Sequence, residues 1–247
     1  MAALCQRAEH IASGVRSGIL DQAASCLGQP GKAILLDCRS LAYRYLPFDD
    51  PGISLVVIDT GVRRELASSA YNERRSQCEE AANMLRDIIA RSEPQNSPVG
   101  AIRALRDISP AQFARYGSEL PDILRRRAGY VIAEDARVME AVALLEKGAV
   151  AQFGPLLWLS HEGLRDEYEV SSPELDTLVK IARQVPGVLG ARMMGGGFGG
   201  CTINLVRNEA VEQLRQAVDE LYPARTQLQA TFDVCRAAGG PDNVWVG

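Results

Sequence analysis

Between two apolar runs, Gly195-Gly-Gly-Phe198-Gly-Gly200 packs five glycines around one phenylalanine. Glycine costs roughly 0.5–1 kcal/mol inside a regular element, so this segment breaks whatever flanks it. The flanks, Leu189–Met194 and Cys201–Val206, are short and apolar and read as two strands joined by a turn. Such a loop can aim several backbone N–H groups at one concave surface, which suits phosphate oxygens. Plain geometry explains it equally well, as a tight connection where two backbones pack closely. No Gly-Lys-Ser/Thr closes the run, so it is not a P-loop.

The rest of the chain alternates between the two periodicities. Residues 2–12 read as helix, and Ser17 is placed to cap a second helix from about Gly18 to Leu27. Three β-rich runs follow at 33–38, 41–46 and 53–59. Pro47, Pro51 and Gly52 punctuate the last gap and mark a boundary, giving segments 1–52 and 53–247. Ser68 or Ser69 caps an amphipathic helix whose apolar positions are Tyr71, Cys78, Ala81, Ala82, Leu85, Ile88 and Ile89. A loop spans 91–100, and helices fit 110–117, 121–147, 149–162 and 173–185. After the glycine segment come a helix at 208–221 and a strand near 228–235. This is an α+β order, with a small antiparallel sheet backed by helices at its end.

Composition removes several function classes. The chain has 247 residues, 47% hydrophobic and 23% charged, with a net charge of −4. That balance argues against a nucleic-acid partner, and the basic runs Arg74-Arg75 and Arg125–Arg127 read as solvated helix faces. No apolar stretch approaches the roughly 20 residues that span a bilayer, so no membrane partner is expected. Six scattered cysteines without a C-x-x-C pair fit the cytoplasm and neither a disulfide framework nor a zinc site. His10 and His161 stand far apart and read as surface or packing residues, so no metal site is expected.

Several residues are candidates for chemistry. Asp21 lies near a helix start behind Gly18, where the helix dipole keeps a carboxylate ionised and able to act as a base. Position alone favours a structural acid there. Tyr71 can hydrogen-bond a ligand or fill the core. Arg63 precedes the amphipathic helix and can reach a phosphate or lie in solvent. Asp166-Glu167-Tyr168-Glu169 reads as a charged loop with no role.

Four segments together, Ser17–Gln22, Gly61–Ala82 with its Tyr-Asn-Glu-Arg-Arg, Arg165–Asp176, and the glycine loop behind Arg192-Met, resemble galactokinases. These belong to the GHMP small-molecule kinase superfamily, and the resemblance runs from about Leu4 to the end. It implies a GHMP-kinase-like fold, in which 1–52 is a remnant of the N-terminal catalytic lobe and 53–247 the C-terminal lobe. It further implies phosphoryl transfer from ATP, with Mg2+, to the anomeric hydroxyl of galactose. Asp21 stands at the catalytic base, Gly18 at the sugar-contacting turn and Tyr71 at the sugar-binding tyrosine. Gly195, Gly196, Gly197, Gly199 and Gly200 stand at the active-site loop. That agreement favours the catalytic reading of Asp21.

Two galactokinase segments have no counterpart in the chain: Gly-Arg-Val-Asn-Leu-Ile-Gly-Glu-His-Thr-Asp-Tyr and the serine-rich loop that cradles ATP. The resemblance therefore implies an N-terminally truncated protein with negligible turnover alone, completed by a complementary N-terminal segment. The β-runs at 33–59 are then expected to leave an open sheet edge. A non-catalytic sugar sensor on the same scaffold is the alternative, and a bare interaction fragment a third. Another substrate, such as N-acetylgalactosamine, also fits the superfamily, whereas the tyrosine helix disfavours mevalonate and homoserine.

Overall fold

The computed structural model describes residues 1–62, 67–93 and 102–240. In chain order these form α1 (Ala2–Ser13), α2 (Leu20–Leu27), β1 (Lys32–Leu36), β2 (Tyr43–Pro47), β3 (Ile53–Asp59) and α3 (Ala67–Ser92). Then come α4 (Pro110–Tyr116), α5 (Asp122–Glu146), α6 (Val150–Asp166) and α7 (Pro173–Gln184). The chain finishes with β4 (Val188–Met193), β5 (Cys201–Arg207), α8 (Val211–Thr226) and β6 (Thr231–Cys235). Helix α3 starts before Ser68 and Ser69, which lie in its first turn and do not precede it. Arg63 and most of the predicted loop 91–100 lie outside the described residues.

Strand β3 is central to the architecture. It pairs antiparallel with β5 on one side and β6 on the other, in the order β4-β5-β3-β6. The expectation that all three runs of 33–59 leave an open edge therefore fails for Ile53–Asp59. Only β1 and β2 form a separate two-stranded antiparallel sheet. The sequence Ile-Ser-Leu-Val-Val-Ile carries apolar side chains toward both faces, which suits a strand covered twice.

One face of the four-stranded sheet packs on α7 and α8 through Val56, Ile58, Leu178, Ile181, Val206 and Leu214. Leu205 on the other face meets Val142, Leu145, Val150 and Leu157, and Leu46 of β2 joins the same cluster. A second body of core, with Ala81, Leu85, Ile89, Leu105, Leu124 and Ala128, binds α3 to α5. Each fully buried leucine contributes about 1.5–3 kcal/mol, so these three clusters dominate the stability. Helix α7 begins as its sequence dictates: Ser172 caps the N–H of Leu175 at 3.3 Å and Pro173 takes the first helical position. Edge strand β4 is covered by α6, whose backbone comes so close that a methyl on Gly190 would lie 2.0 Å from the Gly154 carbonyl oxygen. Among the described residues no helix is long and apolar enough to cross a membrane.

Candidate active site

The glycine segment joins β4 to β5. Positive φ angles run through it: 76° at Gly195, 83° at Gly197, 61° at Phe198, 124° at Gly199 and 82° at Gly200. Gly197 is fixed by space as well as by angle, because a methyl there would stand 2.0 Å from the Val170 carbonyl oxygen. The same carbonyl accepts the Phe198 N–H at 2.7 Å. Phe198 bears a left-handed backbone that costs an ordinary residue roughly 1–2 kcal/mol. Packing of its ring against the cluster of Tyr130, Leu164, Val170, Leu175 and Met193 offsets that cost. At the far end, Gly200 O accepts from Thr60 N at 3.0 Å and Thr60 Oγ1 at 2.8 Å. Close backbone packing thus accounts for part of the glycine content. Gly196 faces a side chain instead: its missing methyl would lie 3.3 Å from Cδ2 of Tyr71. Loop and tyrosine are brought together.

The Gly18–Asp21 segment is anchored from two sides. On the α1 side, Ser17 O accepts from Gln6 Nε2 at 3.0 Å and lies 2.9 Å from His10 Nε2. Ser17 does not cap α2, whose N-cap is Ile19. Its hydroxyl donates to Glu9 Oε1 at 3.0 Å, and Glu9 also draws in the Gln22 side chain. From the other side, α3 reaches in with the residues right after Tyr71. Asn72 Oδ1 accepts the Arg16 N–H at 3.1 Å, and Arg75 Nη1 donates to Arg16 O at 2.7 Å. Asp21 lies exposed in the first turn of α2, and its side chain makes no hydrogen bond or ion pair among the described residues. Gly18 opens on empty space among the described residues and has no left-handed φ. Neither crowding nor backbone angle requires glycine there.

Two expectations about charged runs are corrected. Arg127 does not lie on a solvated face: its side chain is 1% exposed. It is held there because Glu169 Oε2 at 2.6 Å, Gln77 Oε1 at 3.3 Å and the Glu167 carbonyl accept its guanidinium protons. Nor is 166–169 a loop without a role. It carries those acceptors, and Arg74, half-buried, donates to Tyr168 O at 2.8 Å and Glu169 O at 3.3 Å. The Arg127 guanidinium holds the Glu169 carboxyl below its ordinary range. One turn of α3 therefore touches all three predicted segments: Tyr71 the glycine loop, Asn72 and Arg75 the run before Gly18, and Arg74 the 167–170 strap.

His161 has a specific task. It is buried, and its Nδ1 accepts the N–H of Met193, the last residue of β4, at 3.3 Å. The proton is thereby assigned to Nε2, which stands 3.2 Å from Asp176 Oδ1 but off the line of a good hydrogen bond. Burial works to raise the Asp176 carboxyl, yet the nearby His161 ring and the hydrogen bond from Ser171 outweigh it and hold it low. Burial raises the Cys78 thiol as well, beside Tyr168 OH at 3.5 Å.

Among the described residues no group of three or more His, Cys, Asp or Glu is placed to hold a metal ion. A groove of about 670 Å³ between β1, α3 and α5 is lined by Leu36, Cys78, Glu79, Ala82 and Met139. It borders Arg75 and does not include Asp21 or the glycine segment.

The family described as GHMP kinases C terminal matches residues 141–224. A galactokinase of Roseiflexus sp. (strain RS-1) is 43% identical over 244 residues, which is 99% of this chain and 60% of that protein. The human galactokinase is 43% identical over 240 residues, 97% of this chain and 56% of its own length. The crystal structure of Lactococcus lactis galactokinase complexed with galactose superposes with a TM-score of 0.84 at 35% identity, covering 97% of this chain and 59% of that one. A homoserine kinase from Cytophaga hutchinsonii, at 16% identity and a TM-score of 0.55, shares the fold. The chain spans about three-fifths of the length of the curated relatives it matches.

Proposed function

From this chain's kinship with the galactokinases, within the GHMP kinase superfamily, we propose that it carries the sugar-facing part of a kinase that phosphorylates galactose at the anomeric hydroxyl. The observation that supports this most directly is the packing of Gly196 on the Tyr71 ring. Two segments far apart in sequence, both assigned by resemblance to the sugar wall, meet there. In this reading Asp21, exposed in the first turn of α2, takes the proton from the attacking hydroxyl. Gly18 lets the sugar approach the backbone, Tyr71 bonds a sugar hydroxyl, and Gly195, Gly196, Gly197, Gly199 and Gly200 form the floor. ATP is the phosphoryl donor. The residues described offer no cluster fitted to Mg2+, so no step is drawn through that ion.

Residues 1–52 and 53–247 are assigned to different lobes, because among the described residues β1 and β2 pair only with each other while β3 is interior to the larger sheet. The partner that completes the site is a polypeptide equivalent to the remaining two-fifths of the relatives. Its landing surface is the α1–β2 region. Helix α1 buries no residue, and Leu4, Ile11 and Leu20 are 65%, 83% and 63% exposed. The compartment is the cytoplasm, in keeping with six cysteines and no disulfide.

Titration of the chain with galactose, alone and with the complementary part of the Roseiflexus relative, tests the reading. Phosphorylation of galactose should appear only in the complemented protein. There, Asp21→Asn should lower turnover by about 10²–10⁴-fold and leave the galactose dissociation constant within about threefold. Near-normal turnover removes Asp21 from the base role. Binding without turnover in the complemented parent protein identifies a sugar sensor instead.

A further inference from the structure

We propose that Asn72 and Arg75 are positioning residues that fix the Gly18–Asp21 segment at a set place relative to Tyr71. This rests on the reading of that segment and of Tyr71 as two sides of one sugar site. Residues 14–18 have no regular secondary structure, so their backbone groups find no partners in a ladder of their own. Side chains of α3 supply them. Asn72 accepts from Arg16 N through Oδ1 at 3.1 Å and donates through Nδ2 to Gly14 O at 3.3 Å. Arg75 Nη1 donates to Arg16 O at 2.7 Å while its Nε is held by Glu79 at 2.9 Å. The Arg16 side chain folds back on the same helix, with Nη2 to Ser76 Oγ at 3.0 Å and to Asn72 O at 3.4 Å, and Nη1 to Glu79 Oε2 at 3.3 Å.

These bonds are poorly placed to stabilise the whole fold. The Arg16 and Glu79 side chains are 43% and 50% exposed, and ion pairs in such solvent are worth little. Their convergence on one irregular backbone stretch is better explained by geometry. Asn72 adjoins Tyr71 in sequence, and Arg75 lies one helical turn beyond it. The distance from the sugar tyrosine to the run that enters Gly18 is thus set by a rigid helix and two short bridges, as preorganised sites require. Ser17, the next residue, is held from α1 by Gln6, with His10 Nε2 alongside, so the segment is gripped on both sides.

Amide hydrogen exchange on the full chain, followed peptide by peptide, tests the clamp without any ligand. Asn72→Ala and Arg75→Ala should speed exchange across residues 14–22 by about tenfold or more. Exchange in α5 and in the four-stranded sheet should stay as in the parent, and the thermal midpoint within about 2 °C. Asn72→Asp retains the acceptor for the Arg16 N–H but loses the donor to Gly14 O, so its exchange at 14–22 should fall between that of Asn72→Ala and that of the parent. Unchanged exchange at 14–22 in the alanine variants overturns the proposal, as does an equal rise throughout the molecule. Galactose titrations separate the two readings. If the exchange pattern holds but neither the chain nor its complemented form binds galactose, the clamp stands and the sugar reading falls.

Discussion

Arg127 keeps its charge inside the protein because three acceptors converge on its guanidinium, one a carboxylate and one a backbone carbonyl. Removing one partner of a buried pair costs about 3–5 kcal/mol when the other is left uncompensated. Here Glu169 stays 40% exposed and water can reach it, so Arg127→Met should cost less, about 2–3 kcal/mol. Urea unfolding measures this, and a loss below about 0.5 kcal/mol would mean that the network stabilises nothing. By composition three consecutive arginines read as a solvated face; their position along the helix decides otherwise. Leu124, Arg127 and Val131 follow helical spacing along the buried side of α5, and that phase carried the signal. The acceptors on 167–169 were invisible beforehand, since they come from an irregular strap placed by tertiary packing. Asp21, Tyr71 and the glycines stand out along the sequence for a different reason: each belongs to a local motif.

At the scale of elements, the β1–β2 hairpin is held to the helical core by crossed charges at its turn. Arg39 donates from both terminal nitrogens to Asp107 at 2.8 Å, and Arg106 donates to Asp37 at 2.6 Å. Arg106 and the Arg39 backbone N–H hold the Asp37 carboxyl well below its usual range; the Arg39 side chain does the same for Asp107. A carboxyl depressed in the folded state stabilises it fully above the unfolded pKa of about 3.9 and loses that effect as pH falls toward the folded value. Hairpin amides should therefore exchange faster as pH drops below about 4, after correction for intrinsic rates. Arg39→Ala should already exchange fast at neutral pH and show a flatter acid limb; identical limbs in the two proteins would rule the charges out. The strands themselves were readable from runs of apolar residues. Their pairing was not. Strand β3 pairs with β5, whose residues come roughly 150 positions later, and no local pattern specifies so distant a partner. The open-edge expectation overlooked the apolar side chains on both faces of Ile53–Asp59, which suit a strand covered twice.

Across the whole molecule, three of the sequence motifs are touched by one turn of α3, while α1 and α2 leave apolar side chains uncovered. Leu4 and Ile11 are seven residues apart on α1, hence on one helical face, and both are exposed, with Leu20 of α2 likewise. Apolar surface of this kind drives association when it is contiguous. The two-stranded sheet adds an unpaired edge on each strand among the described residues. The chain should self-associate with rising concentration, and the double variant Leu4→Glu, Ile11→Glu should reduce that association. Because neither side chain is buried, the same variant should shift the unfolding free energy by no more than about 0.5 kcal/mol. Sedimentation velocity across a concentration series reads the first effect and urea titration the second. Complementation with the remaining two-fifths of a relative should suppress association in the parent chain and bind the double variant more weakly. If α1 is instead solvated as it stands, the two proteins will sediment alike at every concentration and the added polypeptide will not discriminate between them.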